Sequence, residues 1–184
     1  MTRGWQVALV LGLLGLFTLF YQGLWGDPKM IPSVLIGTPA PTFDGPRVGS
    51  SERLGLEHFR GKVLVINFWA SWCQECRLEH SNLLAIYTRF KDHPKFAMLG
   101  IDYQDKEDDA LDYLREYGTS FPHIHDLTGA LSIDYGVYGV PETFIIDQQG
   151  LIRYKWIGPI IGDAYTHVIE AVIPPLLNGG PAKT

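Results

Sequence analysis

Cysteine is nearly absent: the 184 residues hold two, Cys73 and Cys76. At most one intramolecular disulfide can form, and it would close a loop no longer than residues 73–76. So short a loop removes little entropy from the unfolded chain, so the chemistry of the two sulfurs explains them better than stapling does. An excess of basic charge is also missing. Fifteen Lys and Arg stand against twenty Asp and Glu, for a net charge of −5. That disfavours a nucleic-acid partner, whose phosphates need a basic patch. The one dense charge cluster, Asp102 to Asp112, is mostly acidic and reads as a solvated helix face. No internal repeat or low-complexity tract interrupts the chain. At 46% hydrophobic and 19% charged residues, it has the composition to bury a core, and its length suits one domain.

Charge is absent altogether from Trp5 to Trp25, and Val7–Phe20 is almost wholly apolar. A helix crosses the hydrocarbon layer in about 20 residues. Trp5, Tyr21 and Trp25 lie near the two ends, where amphipathic rings favour the interface. A cleaved signal peptide has a shorter apolar stretch, about 7–15 residues, and ends in a small-x-small site, which Trp25-Gly26-Asp27-Pro28 does not offer. Residues 1–26 therefore read as an uncleaved transmembrane anchor. Arg3 and the amino terminus place positive charge on the short side, so the body is expected across the membrane, with Lys29 partly offsetting that bias.

Pro28, Pro32, Pro39 and Pro41 mark 27–42 as an extended linker to a domain over 43–177, with 178–184 as a tail. Gly-Ser signals at 49–51 suggest a short hairpin within 43–60. Lys62–Trp69 is an apolar β-rich run of the kind buried on both faces of a sheet. A helical stripe follows through Cys76, Leu83, Tyr87 and Phe90, and then a strand at Phe96–Ile101. Ala110, Leu111, Leu114 and Tyr117 mark an amphipathic helix that Gly118 is placed to end. Thr143–Asp147 and Leu151–Trp156 flank Gln148-Gln149-Gly150 as a hairpin. Val168, Ile169 and Val172 suggest a last helix, stopped by Pro174-Pro175. Alternating strands and helices imply an α/β sandwich with a mixed sheet.

Cys73-Gln74-Glu75-Cys76 follows the buried strand and opens the helix. A thiol at a helix N-terminus faces unpaired N–H groups and the positive end of the dipole, and both favour the nucleophilic thiolate. Cys73 is therefore expected to be the more exposed attacking sulfur and Cys76, one turn in on the apolar stripe, the buried resolving sulfur. Zinc is the competing reading. It normally needs four ligands; the chain has no further cysteine, but His123-Ile124-His125 would put two imidazoles on one face of a strand. An inert disulfide is the other alternative. Glu79 lies three residues after Cys76 on the same helical face, where a carboxylate could pass the proton of Cys76 and repel its thiolate. His80 reads as packing or capping. In Gly139-Val140-Pro141-Glu142-Thr143, proline cannot donate to a sheet ladder, so Pro141 belongs at a strand start, with an ordinary turn proline as the alternative.

Together these residues resemble the thioredoxin superfamily. Asn67-Phe68-Trp69-Ala70-Ser71-Trp72-Cys73 is similar to its active-site approach, and Val140-Pro141-Glu142-Thr143 to its cis-proline loop, which implies a cis Val140–Pro141 bond beside the cysteines. Within it, the likeness is to the membrane-anchored thiol:disulfide interchange proteins of cytochrome c maturation, the DsbE/CcmG group. Cys76-Arg77-Leu78-Glu79-His80, Asp102-Tyr103-Gln104-Asp105, Tyr135–Phe144 and Gly150–Tyr154 carry it, over about residues 30–175. The resemblance implies a thioredoxin-like fold, a central mixed β-sheet flanked by helices, with an extra helix–strand insert from about Glu107 to Gly136, preceded by one transmembrane helix. It implies a bacterial inner-membrane protein with its domain in the periplasm. It implies reduction of apocytochrome c, or of a maturation assembly protein, so that haem can be attached, with recharging by a DsbD/CcdA-type membrane electron donor. No cofactor and no metal are implied beyond the Cys73–Cys76 disulfide. Glu79 and Glu142 match acidic residues lining the family's groove, and the implied catalytic set is Cys73, Cys76, Glu79, Pro141 and Glu142. Asn67 stands where general thioredoxins carry a buried Asp.

This chain departs from the family in having no proline between its cysteines, so its potential does not follow from the resemblance. Carboxylates at Glu75, Glu79 and Glu142 would oppose the thiolate, which points to a reducing protein nearer thioredoxin, at about −270 mV, than DsbA, at about −120 mV. A general TlpA-like periplasmic reductase and a non-catalytic apocytochrome-binding module are the other readings.

Overall fold

A computed structural model describes residues 3–23 and 35–182 in two compact units, divided after Pro32. The first is a single helix, α1 (Gly4–Gly23), with no charged residue and every side chain exposed. It is long and apolar enough to cross a membrane. The expected linker falls partly on 24–34, which lie outside the described residues.

In the second unit, a hairpin of β1 (Asp44–Pro46) and β2 (Arg53–Gly55) stands beside a five-stranded sheet. The sheet comprises β3 (Val63–Trp69), β4 (Phe96–Tyr103), β5 (His123–Asp126), β6 (Glu142–Ile146) and β7 (Ile152–Ile157), in the order β5-β4-β3-β6-β7. β3, β4 and β5 run parallel, and β6 is antiparallel to both β3 and β7. Residues 37–40 are tied to the domain: the Gly37 and Ala40 N–H groups donate to Ile152 and Gly150 carbonyls.

All seven residues of β3 are buried, as its unbroken apolar run requires. Alternate side chains serve two cores. Val63 and Val65 pack with Leu83 and Ile86 of α2 (Gln74–Phe90), while Leu64, Ile66 and Phe68 pack with Tyr135 and Phe144. The insert forms α3 (Glu107–Tyr117), closed at Gly118, where φ is +88°, then β5 and α4 (Ala130–Asp134). Gly100 is required by close approach, because a Cβ there would lie 2.0 Å from His123 Nδ1 and 2.9 Å from Trp69 Nε1.

Pro174-Pro175 does not stop the last helix. After α5 (Asp163–His167) a π-helical turn spans Val168–Val172, and α6 (Ile173–Leu177) begins with both prolines in its first turn. The first N–H groups of a helix have no intrahelical partner, so proline loses nothing there. The chain past α6 also stays on the body: Gly180 N–H donates to Pro175 C=O, and Ala182 packs on the core.

Since the cores of the second unit are filled from residues 40 onward, deleting residues 1–26 is expected to leave a soluble, cooperatively folding, redox-active domain. Circular dichroism melting and thiol titration of the truncated chain check this. An aggregated or unfolded product would move the boundary.

Candidate active site

β3 delivers the chain to Ala70, and α2 begins four residues later with Cys73 as its N-cap. Cys73 Sγ accepts the Cys76 N–H at 3.0 Å, so it sits among the unpaired donors of the helix end. The two sulfurs are bonded to each other. Cys73 is 5% exposed and Cys76 1%, so the expected order holds by a small margin. Their main difference is that Cys73 occupies the cap. The approach loop is gripped on both sides of one residue: Ser71 N–H donates to Asp105 Oδ2 at 2.6 Å, and Ser71 C=O accepts from Arg77 Nη2 at 2.8 Å.

The Val140–Pro141 bond is cis, and Val140 C=O lies 3.5 Å from Cys73 Sγ. β6 starts directly afterwards, at Glu142, as a proline at a strand entry requires.

Glu79 is fully buried on the same helical stripe as Cys76. Its Oε1 accepts from Asn67 Nδ2 at 2.8 Å and its Oε2 from Ile160 N–H at 2.6 Å. Asn67 also donates to Thr143 Oγ1 at 3.1 Å, tying the carboxylate to β6. Burial pushes the Glu79 carboxyl up to about 7 against these two donors, which favour the charged form. A carboxyl poised near neutrality can take and return a proton.

His80 is buried between Gly118 C=O at 2.7 Å and Tyr113 Oη at 3.1 Å, and burial lowers its pKa. Tyr113 Oη also lies 3.3 Å from Cys76 C=O, and its ring stacks on Trp69 at 4.7 Å. His123 packs edge-on against Trp69, with burial lowering its pKa to about 3, and His125 Nδ1 lies 2.7 Å from Asp102 Oδ2. Among the described residues no three His, Cys, Asp or Glu side chains converge on a metal position.

Glu142 is placed otherwise than a groove-lining acid. It is fully buried, its Oε2 lies 2.9 Å from Lys155 Nζ and its Oε1 accepts from Tyr138 N–H at 2.8 Å. The nearby cation balances its charge, so it offers the sulfurs less repulsion than a bare carboxylate would.

The profile of the AhpC/TSA family matches residues 36–155, the stretch that holds the cysteines, Glu79 and the cis proline. The chain belongs to the AhpC/TSA family. Its likeness to individual members runs nearly end to end. It is 36% identical to the thiol:disulfide interchange protein DsbE of Allochromatium vinosum over 98% of this chain and 99% of that one. It is equally identical to the DsbE of Pseudomonas aeruginosa, over 96% and 98%. A crystal structure of a putative DsbE from Chlorobium tepidum superposes with a TM-score of 0.65 at 28% identity, covering 70% of this chain and 89% of that one. This AhpC/TSA-family chain is a thiol–disulfide oxidoreductase of thioredoxin-like fold, with Cys73 and Cys76 as its redox pair.

The sequence marked no role at the site for Ile160, Tyr113 or Lys155, and Arg77 and Asp105 entered only as carriers of the family resemblance. Each acts through a contact distant in sequence or through a backbone group, and neither leaves a local pattern.

Proposed function

We propose that this oxidoreductase works as a reductase in cytochrome c maturation, held by residues 1–26 on the periplasmic face of the bacterial inner membrane. It would reduce the disulfide of an apocytochrome c Cys-x-x-Cys-His site, or of an assembly partner, and be recharged by a DsbD/CcdA-type donor. The end-to-end likeness to DsbE proteins carries this reading. Cys73 thiolate attacks one client sulfur, forms a mixed disulfide and releases the other client sulfur as thiolate. Cys76 thiolate then attacks Cys73 Sγ and releases the second client thiolate. Two electrons leave the enzyme and the Cys73–Cys76 bond closes. Glu79 serves as the proton acceptor for Cys76, Val140-Pro141 as the backbone beside Cys73, and Glu142 as a support for that backbone.

The absence of proline between the cysteines leaves a general TlpA-like reductase as the second reading. Reduced protein should react with a disulfide-bonded Cys-x-x-Cys-His peptide at least about tenfold faster than with the same peptide lacking the histidine, a difference of about 1.4 kcal/mol in transition-state binding. Equal rates would favour the general reductase. Tight binding with no loss of protein thiols would indicate a non-catalytic module.

A further inference from the structure

Lys155, in β7, takes no part in the exchange chemistry, yet its side chain is only 5% exposed. Burying an ammonium is costly unless its charge and its donors are met. Here four groups meet them. Nζ lies 2.9 Å from Glu142 Oε2, a charge contact whose geometry falls outside a hydrogen bond. It donates to Gly136 C=O at 2.8 Å. The ring centroids of Tyr138 and Phe144 each lie 5.0 Å from it, within cation–π range.

Three of these four partners belong to residues 136–142, the segment that carries the cis proline. Glu142 closes the ring by accepting from Tyr138 N–H at 2.8 Å. The segment is held again where Pro141 C=O accepts from Gly158 N–H at 2.9 Å. Between these ties, the N–H groups of Gly139 and Val140 donate to no group among the described residues, while Gly139 and Tyr138 are exposed. Val140 C=O lies 3.5 Å from Cys73 Sγ. A polypeptide whose disulfide reaches Cys73 must pass along this stretch, and unpaired backbone donors there are available to pair with it.

We propose that Lys155 is a positioning residue for polypeptide substrates: together with Glu142 it fixes the backbone of residues 138–140 in the place where a client chain pairs beside Cys73. The inference rests on the exchange activity and is independent of which client is natural. A polypeptide disulfide uses the fixed backbone, and a small disulfide without peptide groups does not.

The test is a ratio of two rates. The reduced full-length protein in detergent is oxidised by a disulfide-bonded peptide and, separately, by bis(2-hydroxyethyl) disulfide, with loss of free thiol followed in each case. Lys155→Met strands a buried carboxylate, so the double variant Lys155→Met/Glu142→Gln, which removes both charges, is measured beside it. Misplacing a reacting partner by about 1 Å costs up to about a hundredfold in rate, and the peptide-to-small-disulfide ratio is expected to fall about tenfold in the double variant. An unchanged ratio there, whatever the separate rates, would overturn the proposal. The outcome does not depend on histidine in the peptide, so it separates from failure of the cytochrome c reading.

Discussion

A Cys73→Ser chain is expected to form no covalent complex with a disulfide client, whereas a Cys76→Ser chain accumulates one. The difference should be all-or-none on a non-reducing gel, with the complex released by dithiothreitol and its mass equal to enzyme plus client. The two sulfurs differ little in exposure, at 5% and 1%, so access alone does not separate them. Their surroundings do. Cys73 Sγ occupies the N-cap of α2, accepts the Cys76 N–H and lies beside Val140 C=O, next to the exposed Tyr138 and Gly139. The helix end stabilises negative charge on that sulfur, typically by about 0.3–1 kcal/mol at exposed sites. Cys76 lies one turn inside the helix on its buried stripe and meets its target only after Cys73 has been captured. Complex accumulating in Cys73→Ser instead would refute the assignment of roles.

Glu79→Gln is expected to flatten the pH dependence of stability in the oxidised protein. The Glu79 carboxyl rises from 4.5 to about 7 in the folded chain, so the native state binds its proton more tightly than the unfolded state does. The associated stability is fully present below pH 4.5, declines between 4.5 and 7 and is gone above 7, with a total of about 3 kcal/mol. His80 and His123, whose values are lowered by burial, act in the opposite sense: their contribution is present above about pH 6.5 and is lost as pH falls. The diagnostic is therefore the difference between the two chains, read from urea unfolding at pH 5 and pH 8. The same substitution should make the protein less reducing, because an ionised Glu79 opposes a second negative charge on Cys76 and so disfavours the dithiol form. A tenfold change in the equilibrium with glutathione corresponds to about 30 mV. Identical pH slopes and identical potentials in the two chains would leave Glu79 a structural acid.

Much of this protein was determined by short-range pattern. The apolar stretch of α1, the doubly buried β3, the period of α2 and the placing of Cys73 at its end are set by residues within one or two turns of one another, and periodicity registers such neighbours directly. Pro141 at the start of β6 follows from its missing N–H. The tertiary structure decided how the buried charges are met. Glu79 is held partly by Ile160 N–H, 81 residues away. Glu142 has its countercharge on Lys155, in the neighbouring strand. The prolines at 174 and 175 continue the helical segment because the π turn before them places them in a new first turn. The physical reason is common to all three. A helix or strand is chosen by its own residues, but the cost of a buried carboxylate, ammonium or missing donor depends on which distant groups the chain brings to it.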